Sequence, residues 1–420
     1  MKRRRLIAGV VAATVAGALA TMGLGAPAGG VPSVRGVTSS EIKVAGLVQV
    51  SQFFKSRVEA GIKARFAEAN QNGGVFGRKL TYVETADDKG DPTTNFSEAQ
   101  RLVQQDQVFA VFTLTPVMTQ AARFFGQQHV PFFGWGIDAG YCKNPYALGF
   151  TGCIVPPADN SIPNTGTTWG ALMKKYLVSL GMDPKGKSAA TISEDNATGK
   201  EGSAEIAAQI KYGGGFKLTY AKNPVPLTPP GDYSPYVTAL TTSNNGGPPD
   251  IIYLTLSYPN LTGLAKALLA ANYKGIMTNA VGYDPLAVSV FPNQPVFTQF
   301  DVPEDTSNAK MQSIVASIKA QSADPISQIA LAAYFGADAF VAALQKVGKN
   351  LTAEAFAKLL KKGFTYQIPK IVGPTKYPKA QVQGAPCGTL VVSNGTTYKI
   401  AVPYSCYKNI NLNNGKVLKY

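Results

Sequence analysis

The chain alternates strand-like and helix-like stretches in two successive series, and this pattern narrows its fold more than any other feature. In the first series "EIKVAGLVQV" (41–50) is a β-branched run. "RVEAGIKARFAEANQNGG" (57–74) follows, with Val58, Ile62, Phe66 and Ala69 at helical spacing and Asn72-Gly73 as a stop. "RKLTYVETADD" (78–88) alternates as a strand, and "SEAQRLVQQD" (97–106) reads as a short helix. "VFAVFTL" (108–114) is a fully apolar strand, "PVMTQAARFFGQQH" (116–129) a helix that opens on proline, and "VPFFGWG" (130–136) a further strand. In the second series, helix 168–181 precedes strand 188–193 and helix 200–212 precedes strand 216–221. Helix 233–242 then precedes strand 250–257, and helix 260–272 precedes strand 275–282. Strands separated by helices pair in parallel. Two such series therefore predict an α/β fold of two doubly wound parallel-sheet lobes.

The segment 136–167 is rich in Gly, Pro and Asn and reads as a crossover between lobes. Beyond 285 come a Pro-rich stretch and helices over 308–321, 325–347 and 352–362. The tail from Gly373 reads as strands and loops. A length of 420 residues, 45% of them hydrophobic, is enough for two cores.

The first residues have a different character. Lys2 to Arg5 form a basic head, Leu6 to Leu19 an apolar stretch, and small residues follow, which is the layout of a secretory signal peptide over 1–30. No later segment approaches an uninterrupted run of 18 apolar residues, so the expectation is a secreted, extracellular or periplasmic protein. The net charge of +15 is spread along the chain without an arginine stripe or nucleic-acid motif. It implies weak attraction to an anionic envelope rather than a nucleic-acid partner.

Cys142, Cys153, Cys387 and Cys406 in an exported chain imply two disulfides. Three pairings are possible. The local one, Cys142–Cys153 with Cys387–Cys406, is favoured because each bridge closes a short Gly/Pro-containing segment. The cysteine spacing matches no zinc pattern and the chain has one histidine, His129, at a helix end, so neither metal nor cofactor is expected.

"GMDPKGKS" (181–188) fits the phosphate-loop pattern, but it ends a helix and enters a strand. A phosphate loop must follow a strand and open a helix, so that backbone N–H groups and the helix dipole face the phosphates. Gly181 is instead a helix stop and Asp183-Pro184 a turn. "GWGIDAG" (134–140) fails the dinucleotide pattern for similar reasons. Asp87, Asp88 and Asp91 read as a turn in which Asp91-Pro92 caps the next helix, rather than as a metal cluster.

"GVTSSEIKVAG" (36–46), "AEANQNGGVFGRKLTYVETADDKGDP" (67–92) and "AQRLVQQDQVFAVF" (99–112) together resemble the amino-terminal lobe of type I periplasmic binding proteins. Within that family they are most similar to the branched-chain amino-acid group serving ABC transporters. "SYPNLTGLAKAL" (257–268) and "TAEAFAKLL" extend the likeness. The resemblance implies lobe one over 37–155 plus 288–370, lobe two over 156–287 plus 371–420, and a three-segment hinge. It also implies a small-molecule solute held in the cleft, an ABC-transporter permease as partner, and a monomer. Ligands of such sheets sit beyond the carboxyl ends of the strands. On lobe one that selects Gln49, Ser51, Gln52 and Phe53, then Thr113, Leu114 and Thr115, then Trp135, Gly136 and Ile137. On lobe two it selects Asp159, Asp195, Asn196, Ser257, Tyr258 and Tyr283. By family position Leu114, Thr115, Trp135 and Ile137 match places that hold an amino acid's carboxylate and amine, and Asp159 lies near a place used for the amine.

The chain departs from the pattern in its long cysteine-bearing link, in the absence of a clear Ser/Thr pair in "TLTPVMTQA", and in the lack of an arginine in "ALGFTGCIVPPADN". The solute class is therefore an amino acid or a related amide or aromatic acid. A ligand sensor without a transport role is the alternative. A secreted hydrolase is a poorer reading, because the chain has no G-x-S-x-G elbow and a single histidine.

Overall fold

The computed structural model describes residues 34–157 and 159–419. The expected signal segment lies outside them. The two-lobe parallel architecture is present. The first sheet holds β1 (Glu41–Val48), β2 (Lys79–Asp87), β3 (Ala110–Leu114), β4 (Phe132–Gly134) and β5 (Ala147–Gly149), in the order β2-β1-β3-β4-β5, all parallel. It is connected by α1 (Val50–Phe53), α2 (Lys55–Gln71), α3 (Pro92–Gln104) and α4 (Thr119–Gln127). Helix α3 begins five residues before the sequence-based expectation. Asp91 accepts the Thr94 amide at 2.7 Å and Pro92 occupies the first turn, so the cap overrides the weak apolar period there. Asp88 is fully buried and accepts from the Gly90 amide and Asn95, and the described residues hold no cluster able to bind a metal.

Short strand β6 (Asn164–Gly166) leads into the second lobe: α5 (Thr168–Ser179), β7 (Ser188–Glu194), α6 (Ala197–Ala208), β8 (Lys217–Val225), α7 (Ser234–Thr241), β9 (Ile251–Thr255), α8 (Tyr258–Ala270) and β10 (Ile276–Thr278). Its sheet runs β10-β9-β7-β8, again parallel. The phosphate-loop look-alike is the turn between α5 and β7, with Gly181 and Gly186 in the left-handed region.

The chain then forms β11 (Pro295–Thr298) and re-enters the first lobe through α9 (Ala309–Lys319), α10 (Gln328–Val347) and α11 (Ala353–Lys362). Helix α10 is long and apolar enough to cross a membrane by composition, but most of it is buried. It packs on α2, and Phe340 stacks on Phe133 of β4 with ring centres 4.1 Å apart. Such a helix, apolar on all sides, is a core element.

The tail forms β12 (Phe364–Ile368), β13 (Val372–Tyr377), β14 (Cys387–Ser393), β15 (Tyr398–Cys406), β16 (Asn409–Asn411) and β17 (Val417–Leu418). Ile371, Val372, Tyr377 and Ala380 bury into the first lobe's core. Leu390, Val392 and Val402 pack with Trp169 and Leu172 of the second. The tail is thus shared between lobes, whereas the sequence reading assigned all of it from 371 to lobe two. Strand β14 pairs antiparallel with β11 and β15, and β16 pairs antiparallel with β6. Both local disulfides are formed. Cys387 and Cys406 face each other across β14 and β15.

Candidate functional site

A cavity of about 160 Å³ lies where the carboxyl ends of the two parallel sheets face each other. From the first lobe, Gln52 and Phe53 come from α1, Pro116 follows β3, Trp135 and Ile137 follow β4, and Ile154 and Val155 follow β5. From the second, Glu194 ends β7, while Asn196 and the face of α6 carrying Gly199, Gly202 and Glu205 form one wall. Tyr253 to Ser257 come from β9 and its exit, Ala280 and Val281 follow β10, and Phe297 and Gln299 come from β11 and just beyond it. An engineered apolar cavity of roughly 150 Å³ takes benzene, so this one suits a solute of about one ring.

The walls are largely apolar, with few but organised polar groups. Trp135 is 2% exposed, packs against Phe150 and Phe300, and donates its indole N–H to Gln299 Oε1 at 2.5 Å. Glu194 Oε1 accepts from the Ser257 amide at 3.1 Å, from the Ser257 hydroxyl, and from Asn260 Nδ2 at 2.7 Å. It thereby ties the end of β7 to the first turn of α8. Thr198 reaches across the cleft and donates to the Pro116 carbonyl at 2.6 Å. Glu205 accepts from Thr165 Oγ1 at 3.2 Å and from Gln209 Nε2 at 3.0 Å. Its carboxylate reaches the cavity but is ringed by protein. Burial pushes it up to about 7, against the pull of those two hydrogen bonds. Burial also raises the Tyr253 hydroxyl well above its usual range, with the charge of Glu205 adding to the effect. Among the described lining residues there is no Lys, Arg or His.

Of the residues selected from sequence, Gln52, Phe53, Trp135, Ile137, Asn196 and Ser257 line this cavity. The others lie elsewhere. Leu114 is in the core of β3, and Thr115 is buried and hydrogen-bonded to Asp88. Gly136 packs beneath the Gly152 carbonyl, where no side chain fits. Asp159 is exposed and accepts from the Ser161 amide at 2.9 Å. Tyr258 meets Phe54 edge-on at 6.2 Å, and Tyr283 is buried and donates to Glu304 at 2.7 Å. Ser51 and Asp195 are exposed, while Gln49 and Thr113 are buried away from the lining. His129 lies past the end of α4, half-exposed, paired with Glu354 at 2.8 Å and stacked on Tyr146.

Glu205, Gln209, Tyr253 and Gln299 escaped the sequence reading. Gly199, Gly202, Glu205 and Gln209 recur at steps of three and four, so they share a helix face. Two glycines opening a face that then carries Glu and Gln is the signal available for them.

A family model described as "Periplasmic binding protein" matches residues 41–396. The Leu/Ile/Val-binding protein BraC3 of Rhizobium johnstonii is 26% identical over 341 residues, covering 77% of this chain and 83% of that protein. Among solved structures, the fatty acid ABC transporter substrate-binding protein of Thermomonospora curvata aligns with TM-score 0.72 at 17% identity, covering 93% of this chain and 98% of that one. A solute binding protein of an ABC transporter from Rhodopseudomonas palustris BisB5, in complex with 3,4-dihydroxybenzoic acid, aligns with TM-score 0.67 at 16% identity, covering 87% and 98%.

Proposed function

This chain belongs to the periplasmic binding protein family, a family of solute-binding proteins, and from that premise we propose that it captures one small solute in the cavity between its lobes and delivers it to an ABC-transporter permease. The observation that carries the reading is the cavity itself, with both lobes contributing walls at the carboxyl ends of their strands. Closing two such edges on a ligand is how hinge proteins convert binding into a shape a partner can read. The solute is an amino acid or a related amide or aromatic acid. The names of the relatives support those classes, and the volume fits a one-ring molecule better than a long acyl chain. The protein is exported by its first thirty residues and acts as a monomer. No catalytic step is part of this reading. Ser257, the hydroxyl nearest to a nucleophile's position, is held by Glu194, and the chain's one histidine lies off the cavity lining.

A thermal-shift panel of amino acids, short amides, aromatic acids and aromatic amines on protein unfolded and refolded to strip bound solute tests the proposal. A true ligand at about 100 times its dissociation constant adds roughly 2.7 kcal/mol, a shift of several degrees. A response confined to one chemical class is the expected result. A flat response across the panel and across an extract of small metabolites contradicts solute capture.

A further inference from the structure

A small polar annex of about 30 Å³ opens off the cavity beside Glu205 and Gln209 and reaches toward β6, β14 and β16. Asn409, on β16, is 1% exposed. Its Nδ2 donates to the Gly384 carbonyl at 2.8 Å, which fixes the amide's orientation and leaves Oδ1 as a buried acceptor with no protein partner. Thr168, at the start of α5, is 4% exposed, and its Oγ1, like Asn409 Oδ1, has no partner among the described residues. Both hydrogen bonds to Glu205 land on Oε1, so Oε2 receives none among the described residues. In the main chamber the buried Gln52 Oε1 also has no partner among the described residues. The chain carries 40 Lys and Arg against 25 Asp and Glu, yet the cavity and annex bring in Glu194 and Glu205 and no cation.

Resting on the solute-capture reading, the geometry points to a solute with a donor-rich cationic nitrogen head, a protonated amine or amidinium, seated against Glu205 at the mouth of the annex, with an apolar body of one ring's size against Trp135, Phe53 and Phe297. The annex offers the Glu205 and Asn409 oxygens as acceptors and the Thr168 hydroxyl as acceptor or donor, and it has room for a water-sized group such as an ammonium head. An ammonium supplies three donors and no acceptor. Hydrogen bonds to a carboxylate from such a group are charge-assisted, and the aromatic faces of the chamber add cation–π attraction. A carboxylate head in the same place would face Glu205 and Glu194 with no positive side chain in the lining to compensate.

The groups that face Glu205 are Thr165 from β6, Gln209 from the turn that continues α6, and Tyr253 from β9. Glu194 lies at the end of β7 and Glu201 one turn earlier on α6. Among the described residues no cation compensates its charge, and burial brings its proton affinity near neutrality. A cationic head therefore displaces the Glu205 proton, and amine affinity rises with pH up to about 7 and then levels.

Titration calorimetry with benzylamine, benzyl alcohol and benzoate, which share a ring and differ in the head, decides the point. The expected order is benzylamine tightest by about tenfold or more and benzoate weakest. Glu205→Gln costs the amine about tenfold, flattens its pH dependence, and leaves benzyl alcohol within about threefold. Absence of benzylamine binding, benzoate binding as tightly as benzylamine, or indifference of the amine to Glu205→Gln overturns the assignment. If the variant does not fold, the three-ligand comparison on the natural chain decides alone. Tight benzoate binding would overturn the cationic head while leaving solute capture intact, whereas failure of capture itself is read from the thermal-shift panel.

Discussion

Arg57 on α2 and Asp284, which follows β10, form an ion pair with both side chains under a tenth exposed, and the guanidinium also lies over the Phe54 ring at 4.4 Å. Removing one partner of such a pair strands the other charge. Arg57→Met should cost about 3–5 kcal/mol in urea unfolding, and the double change Arg57→Met with Asp284→Asn clearly less than that. Glu205 gives a second residue-scale prediction. Its folded-state affinity for a proton is raised from an ordinary 4.5 to about 7, so the folded chain binds more protons than the unfolded one between those values. Stability from this group is therefore lost as pH rises from about 4.5 to 7. Glu205→Gln should leave the melting temperature nearly unchanged at pH 4.5 and raise it at pH 8, by up to about 3 kcal/mol of stability. A constant offset between the two proteins across pH contradicts this. At this scale the sequence revealed the residues that follow strands, such as Trp135 and Ser257. It hid Glu205 and Asn409, because a charge in a helix and an amide in the tail look like solvent-facing residues until the fold encloses them.

The elements were the most legible level. Period and stop signals located both βα series, because a helix stripe and a strand alternation are local properties of a dozen residues. The misreadings have one local and one non-local cause. α3 starts at its Asp91 cap rather than at Ser97. The pairing of β16 with β6 joins residues more than two hundred apart and leaves no local trace. That pairing builds the annex wall, which explains why the annex was not legible. The disulfides close segments with separations of 11 and 19 residues. For loops of this size the chain-entropy estimate is about 3 kcal/mol each, so replacing Cys387 and Cys406 together by Ala should cost about that much, and thiol labelling of the native protein should find no free cysteine.

At the scale of the whole molecule, polar and aromatic contacts besides the Arg57–Asp284 pair join the lobes near the cavity. The Thr198 hydroxyl donates to the Pro116 carbonyl, and Phe54 meets Tyr258. Thr198→Val removes the hydroxyl that reaches both the Pro116 carbonyl and Asp138, and should weaken solute binding by a few-fold while costing the free protein no more than about 0.5–1.5 kcal/mol in urea unfolding. Solute should also reduce the radius of gyration in small-angle scattering, since it favours the closed arrangement. Two lobes could be inferred from the sequence because the strand–helix series occurs twice, and the cleft between them was implied by the family resemblance. The division of the tail between lobes could not, since short antiparallel strands carry no lobe signature.

The most direct measurement is calorimetric titration of the best solute from the thermal-shift panel into the natural chain and into Ala280→Phe, which sets a ring against a cavity of one-ring size. One solute per natural chain and at least about a tenfold loss of affinity in the variant are expected, with a stability cost of no more than about 1–3 kcal/mol. Equal affinity in the two proteins would place the solute elsewhere and contradict capture in this cavity.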